Sequence, residues 1–289
     1  MTFREAEQIY TDSLSPVYDR REAASLAWLS ISHVCKLERA EYLNLKDTEI
    51  PPDKYQSLLK ILEELKTGKP LQYVIGETEF YGLNFRVNPS VLIPRPETEE
   101  LVEWILSDIR SSKTSIEGLK IIDIGTGSGC IPISLKKNLP EAQLYALDIS
   151  NEALGVSKQN AVLNQTKVNF IQADILNLLN EQLTDEKFGI IVSNPPYVTD
   201  SEKQQMLPNV LQHEPHLALF VPDNDPLIFY KAIADFALKH SDINGYLYLE
   251  INENLGEETA QLLKQMGLKN IELRKDLGGK DRMIRSQLY

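Results

Sequence analysis

Cysteine is nearly absent: Cys35 and Cys130 are the only two in 289 residues. Two cysteines cannot frame a disulfide-stapled fold, so a reducing compartment is expected, and the expected location is the cytoplasm. No apolar run approaches the ~18 residues of a membrane span, so no membrane partner is expected. The stretch Met1-Thr2-Phe3-Arg4-Glu5-Ala6-Glu7 carries acids where a secretory peptide needs its apolar core. Histidine is scarce, with four in the chain. His213 and His216 flank Pro215, which disfavours the helix that would align their rings. No cysteine pair or further carboxylate stands at ligand spacing, so no metal is expected. A basic surplus is also lacking: the formal net charge is −12 and the pI is about 4.9. Proteins that bind duplexes without sequence preference neutralise phosphates with a basic surface, so no direct nucleic-acid partner is expected. Arg274, Lys275, Lys280, Arg282 and Arg285 form the densest basic cluster. Asp276 and Asp281 interrupt it, and it reads as a solvated charged loop. Repeats and low-complexity segments are missing too.

What remains is a globular composition with 42% hydrophobic residues. A chain of this length buries roughly three quarters of its unfolded surface. The most informative stretch is Asn194-Pro195-Pro196-Tyr197, which follows the apolar run from Phe188 to Ser193. That run is short, branched and uncharged, as a buried strand is. Two prolines cannot extend a central strand, because neither has an N–H to donate. The strand stops at Asn194 and leaves a stiff turn at its C-terminal end, the edge where open α/β sheets bind ligands. The Asn194 side-chain carbonyl and the Pro195 main-chain carbonyl would be two fixed acceptors, suited to a planar NH2 group. Alternatively the four residues are only a turn, since Asn-Pro and Pro-Pro are common loop formers.

Upstream, Leu119 to Ile124 reads as a strand that runs into Gly125-Thr126-Gly127-Ser128-Gly129 and then a helix from Cys130 to Asn138. Glycine lets the backbone approach a ligand closely, although such runs are often plain turns. The next strand, Gln143 to Leu147, ends in Asp148, about 20 residues past the glycines, where a carboxylate can accept from both hydroxyls of a ribose. The alternative is a helix cap, but Ser150 or Asn151 could do that work and leave Asp148 free. A third strand, Val168 to Ala173, ends in Asp174. Asp174 could accept from an adenine amine with Ile175 flanking the ring, or simply cap the helix that follows.

Residues up to about Thr67 read as helical. Ala23, Ala27, Ser30, Ile31 and Val34 share one face, and Leu58, Leu59, Leu62 and Leu65 share another. Residues 71–96 read as an extended connector or hairpin with a turn at Gly82. From Glu97 onward strands and helices alternate, which predicts an α/β fold with a parallel sheet covered on both faces.

The glycine turn, the strand-end Asp148 and the Asn194-Pro195-Pro196-Tyr197 turn together resemble a class I S-adenosylmethionine-dependent methyltransferase. More narrowly, the chain resembles the release-factor glutamine methyltransferases over nearly its whole length. Gly68 to Gly76, Glu79-Phe80-Tyr81-Gly82, Leu92 to Glu99, Glu214-Pro215, Ala218-Leu219, Asp276-Leu277 and Asp281-Arg282 carry that likeness. Pro132 departs from it, where a small residue would be expected. The resemblance implies a Rossmann-like, seven-stranded sheet with its final strand antiparallel and a small N-terminal helical bundle. It also implies a substrate-docking domain at 1–70, a connector at 71–96 and a methyltransferase domain at 97–289. The cofactor would be S-adenosylmethionine, held by Gly125, Thr126, Gly127, Ser128, Gly129, Asp148, Asp174, Ile175 and Asn194. Asn194, Pro195, Pro196 and Tyr197 would form the catalytic turn. The substrate would be the Gly-Gly-Gln glutamine of peptide chain release factors, methylated on its amide nitrogen by a monomeric enzyme. The alternative is a nucleic-acid amino-methyltransferase of the adenine N6 type that uses the same turn.

Overall fold

A computed structural model describes residues 1–111, 116–178, 183 and 185–288. The chain divides into two compact units, Met1–Gly76 with Leu207–His213, and Glu77–Met206 with Glu214–Tyr289.

The first unit contains α1 (Phe3–Leu14), α2 (Arg20–Cys35), α3 (Arg39–Leu45), α4 (Pro52–Leu65) and α5 (Leu71–Ile75). Local chemistry starts the helices. Thr2 and Glu5 close a reciprocal capping box on α1, and Asp19 accepts from the Arg21 and Glu22 amides at the start of α2. The two apolar faces read from the sequence meet in one core: Ala23, Ala27 and Ile31 are buried with Leu58, Leu62 and Leu65. Val34 and Leu59 are half-buried. The hydroxyls of Tyr10 and Tyr18 donate to the Leu58 and Leu65 carbonyls, so neither buried ring strands a polar group. Leu71–Ile75 is helical, not extended as expected; Gly76, at φ 78°, ends it.

The second unit opens with a hairpin, β1 (Glu77–Phe80) and β2 (Leu83–Arg86), turned by Tyr81 and Gly82, both at positive φ. Then follow α6 (Pro96–Ser111), β3 (Lys120–Ile124), α7 (Cys130–Asn138), β4 (Gln143–Asp148), α8 (Asn151–Leu163), β5 (Val168–Gln172) and β6 (Phe188–Ser193). A two-residue strand pair, β7 (Val198–Thr199) and β8 (Phe220–Val221), brackets α9 (Pro208–His213), which groups with the first unit. The remainder is α10 (Ile228–His240), β9 (Ser241–Glu250), α11 (Gly256–Gln265), β10 (Lys269–Lys275) and β11 (Asp281–Leu288). Pro132 sits in the first turn of α7, where a missing N–H costs little.

Seven strands form one sheet in the order β10-β11-β9-β6-β3-β4-β5. The pairs β3–β4, β4–β5, β3–β6 and β6–β9 are parallel, and β11 runs antiparallel to both its neighbours. This is the Rossmann-like, seven-stranded α/β architecture with its last strand reversed. Successive strand residues feed opposite layers. Ile121, Ile190, Tyr248 and Met283 pack with α6 and α7, while Ile122, Ile191, Leu249 and Ile284 pack with α10 and α11. Each such side chain, fully buried, stabilises the fold by roughly 1.5–3 kcal/mol.

One topological step places the site. From β3 the chain moves outward to β4 and β5, then returns to add β6 on the other side of β3. The strand order reverses at β3, and ligands bind outside the carboxyl ends of strands at such a switch point. Ile124 and Ser193 are register partners there, and the Ser193 hydroxyl donates to the Ile124 carbonyl at 2.6 Å. The glycine turn and the Asn194 turn therefore leave the sheet side by side.

Candidate active site

The glycine turn is fixed by β4. The amides of Gly125 and Thr126 both donate to the Leu147 carbonyl, at 2.8 and 3.0 Å. Gly127 has φ +53° and donates its amide to the Asp148 carboxylate at 2.8 Å. Gly129, at φ +80°, starts α7, and a Cβ there would lie 2.9 Å from the Ser157 Cβ. Its glycine serves both left-handed backbone and close packing of α7 on α8. Buried Asn160, which the sequence did not single out, donates to the Ser128 carbonyl and pairs with the Arg86 backbone, tying the turn to β2.

Asp148 is buried at the end of β4, and Ser150 caps α8 through the Ala153 amide, as expected. Asp148 is nevertheless not free. One carboxylate oxygen accepts from Gly127 and the other from Ser150, at 2.8 and 2.9 Å. Burial pushes its pKa up, and those backbone amides oppose the rise. A carboxylate has about four acceptor positions, so the two bonds leave capacity for a ligand. Asp174 caps the short 3-10 helix that begins at Ile175, accepting from the Leu176 amide at 2.9 Å. Both of its sequence readings are compatible with this placement, because it also borders the cavity.

That cavity has a volume of about 610 Å³ and opens at the carboxyl ends of β3, β4 and β6. Gly125, Thr126, Gly127, Ser128, Asp148, Asp174, Ile175, Asn194, Pro195 and Pro196 line it, but Gly129 and Tyr197 do not. Pro94, Arg95, Pro215 and Ala218 also line it. These residues come from three of the stretches that carried the resemblance, and Glu214 joins them. Buried Glu214 accepts from the Arg95 guanidinium at 2.7 Å and from the Ile93 amide at 3.4 Å.

Behind the Asn194 turn lies a polar network that the sequence reading missed. The Asn194 amide nitrogen donates to the Thr98 hydroxyl at 3.1 Å, and Thr98 donates to Glu250 at 2.7 Å. The Tyr197 hydroxyl donates to the other Glu250 oxygen at 3.0 Å. Tyr197 is thereby tethered away from the cavity wall. Its carbonyl accepts from Asn252, which also bonds Glu202. Burial raises the pKa of fully buried Glu250, while Thr98, Tyr197 and the charge of Arg282 lower it. Arg282 is held by Asp276 and Glu253, which accounts for the Asp276 to Arg282 likeness as support for the site. Only a glutamate at a strand end hinted at this network, and such a residue is unremarkable on its own.

Asp123, beside the glycine turn on β3, is a further residue the sequence reading passed over. Neither carboxylate oxygen has a hydrogen-bond partner among the described residues. Burial pushes its pKa from 3.8 up to about 7; the Thr126 hydroxyl opposes the rise and the Asp148 charge adds to it. An acid that binds its proton more tightly when folded loses stability as pH rises between those two values. Below that window both states are protonated. Above it the folded state keeps the whole cost of a buried charge, of order a few kcal/mol. Asp123→Asn should therefore gain thermal stability over the unsubstituted protein as pH is raised from 5 to 8. Melting curves across that range check this, and a difference that does not vary with pH would refute it.

Comparison with known proteins fits this geometry. Residues 103–218 match the family model of the methyltransferase small domain, and residues 8–76 match the PrmC N-terminal domain. A release factor glutamine methyltransferase of Flavobacterium psychrophilum is 47% identical, over 96% of this chain and 95% of its own length. One from Bacteroides thetaiotaomicron is 41% identical, over 94% and 95%. Among solved structures, a Thermus thermophilus 16S rRNA methyltransferase in complex with AdoMet and guanosine superposes with a TM-score of 0.53. It is 16% identical and covers 74% of this chain and 50% of its own, a likeness of fold. With two full-length relatives well above the identity at which family membership is secure, the chain belongs to the release factor glutamine methyltransferases.

Proposed function

We propose that the cavity binds S-adenosylmethionine, and that the Asn194 side-chain carbonyl and the Pro195 main-chain carbonyl accept the two N–H bonds of the substrate glutamine amide. The volume of about 610 Å³ suits a nucleoside-sized ligand. The glycine cradle, the buried Asp148 with spare acceptor capacity, and Asp174 beside Ile175 supply the donor and acceptor types that an adenosine with a charged tail requires. When bound, the cofactor supplies an electrophilic methyl group on a positively charged sulfur.

The chain's residues do the rest. A carboxamide nitrogen is a poor nucleophile, because its lone pair is delocalised into the carbonyl. Two fixed acceptors hold that nitrogen toward the methyl group and stabilise the positive charge that grows on it. Such preorganised groups are typically worth ~3–4 kcal/mol each. Alignment for in-line attack at ~3–3.5 Å contributes more. As the carbon–nitrogen bond forms and the carbon–sulfur bond breaks, the N–H acidifies and its proton passes to solvent water, so no strong base is needed. Pro196 stiffens the turn, and Tyr197 holds it from behind through Glu250.

The observation that carries the reading is the Asn194–Thr98 hydrogen bond, which occupies the amide nitrogen and leaves the carbonyl for the cavity. Every group named belongs to one unit of one chain, so a monomer suffices. With a release factor as substrate, the enzyme would act in the cytoplasm. A nucleic-acid amino-methyltransferase is not favoured, given the relatives and the net charge of −12. Incubation with labelled methyl donor and a release factor, followed by mass mapping, should put a single methyl on the side-chain amide of the Gly-Gly-Gln glutamine. Label on another residue, or on RNA alone, would overturn this.

A further inference from the structure

We propose that Glu250, acting through the Thr98 hydroxyl, sets which way the Asn194 amide faces, and so makes the site select an amide over a carboxylate. The inference rests on the role given above to Asn194 and deepens it.

An asparagine amide has two ends of nearly the same shape, one an acceptor and one a donor. The cavity needs the acceptor end, because a substrate amide nitrogen brings only N–H donors. Nothing in the shape of Asn194 secures that choice. A hydroxyl such as Thr98 does not secure it either, since it can donate or accept. The decision must come from a group with a single hydrogen-bonding sense.

Glu250 is such a group. An ionised carboxylate only accepts. Its two oxygens accept from Thr98 at 2.7 Å and from Tyr197 at 3.0 Å. The one Thr98 proton is therefore committed to Glu250. Thr98 can then offer Asn194 only a lone pair, and only the amide nitrogen can use it, at 3.1 Å. The Asn194 carbonyl is left on the opposite side, toward the cavity that Asn194 lines. Thr98 and Glu250 are both buried, so water is poorly placed to substitute for either partner. The three residues come from α6, the β6 end and the β9 end. β6 and β9 are adjacent in the sheet with Ser193 opposite Leu249, which brings Asn194 and Glu250 together.

Replacing Glu250 with glutamine tests the logic at nearly constant shape. Glutamine ends that fixed sense: the Tyr197 hydroxyl can donate or accept, so in a share of the molecules the new NH2 faces Thr98. Thr98 would then accept from Gln and donate its proton to Asn194. Asn194 would turn its carbonyl to Thr98 and its NH2 to the cavity. An NH2 repels a substrate amide nitrogen and welcomes a carboxylate. Thr98 and Glu250 are positioning residues in this scheme, since each acts through Asn194, although Thr98 also borders the cavity.

The experiment measures kcat, the Kd of S-adenosylmethionine, and the binding of a release factor against its Gln-to-Glu counterpart. Glu250→Gln should lower kcat by about 2–10-fold, as expected when a preorganised dipole faces the cavity in only part of the molecules. Cofactor affinity should stay within about 3-fold, and the Gln-over-Glu preference should fall by about 10-fold or more. Thr98→Val, which breaks the relay without touching Glu250, should lower both kcat and that preference. Thr98→Ser should restore them. If Glu250→Gln fails to fold, the Val and Ser pair decides. Wild-type kcat and preference in Thr98→Val, or loss of kcat with the preference unchanged, would overturn the proposal. Asn194→Ala separates the two layers. Full activity in that variant would defeat the site reading itself, whereas an inactive Asn194→Ala beside an unaltered Thr98→Val would defeat only this inference.

Discussion

Asn194→Ala should lower kcat for release-factor methylation by about 10²–10³-fold, the usual consequence of removing one preorganised hydrogen-bonding group at a reacting centre. The side chain lost is an acceptor on the cavity wall whose nitrogen is already engaged by Thr98. Truncation leaves the Pro195 carbonyl as a single acceptor. The substrate amide can then rotate about one hydrogen bond, and its nitrogen spends little time facing the methyl group. The charge that grows on that nitrogen also loses half of its stabilisation. The defect belongs in kcat, because the remaining contacts of a protein substrate are untouched. The cofactor contacts proposed above, at the glycine turn after β3 and at Asp148 on β4, belong to other strand ends, so its Kd should change by no more than about 10-fold, one hydrogen bond's worth. Stopped-time methylation with calorimetry for the cofactor makes the test. Wild-type turnover would remove Asn194 from the mechanism, and loss of turnover explained wholly by lost cofactor would reassign it to binding.

Asp148→Ala should weaken S-adenosylmethionine binding by about 10²-fold or more, since hydrogen bonds to a charged group are worth ~1.5–3 kcal/mol each. Two effects act together. The acceptor proposed for the ribose hydroxyls disappears. The Gly127 and Ser150 amides also lose the carboxylate that holds them at 2.8 and 2.9 Å, so the turn against the cofactor loosens. Asp148→Asn keeps one acceptor and nearly the same shape, and should fall between the alanine variant and wild type. Titration calorimetry of the three proteins gives the ranking. Equal affinity across them would confine Asp148 to a structural role. Activity measured at saturating cofactor should recover more fully for Asp148→Ala than for Asn194→Ala if, as proposed, one residue serves binding and the other the reaction.

Much of the fold was legible along the chain. The amphipathic faces of α2 and α4 appear as leucine and alanine at helical spacing, and they are buried as that spacing requires. The sheet strands appear as branched apolar runs, and Gly125, Gly127 and Gly129 occupy the positive φ that their position after β3 suggested. The short helix at Leu71–Ile75 was not legible, because five residues offer little periodicity and its start at Pro70 looks like a connector. Of the site residues read from the sequence, all but Gly129, which faces α8, and Tyr197, whose hydroxyl is drawn to Glu250, line the cavity, whereas most of the remaining wall was not singled out. Asp123 escaped notice because an acid in an apolar run looks like a strand end until its burial is known.

Residue type alone determined where the backbone must turn, which faces must be covered and where a carboxylate or amide would end a strand. These are short-range matters: a missing N–H in proline, a missing Cβ in glycine, and the alternation of side chains about the chain axis. Tertiary structure alone decided which strand ends are neighbours and which polar groups meet. Thr98 finds Asn194 across 96 positions and Glu250 across 152, and the order of strands in the sheet brings them into reach. Hydrogen bonds act over about 3 Å, so a pairing of this kind exists only once the crossover from β5 to β6 has been made.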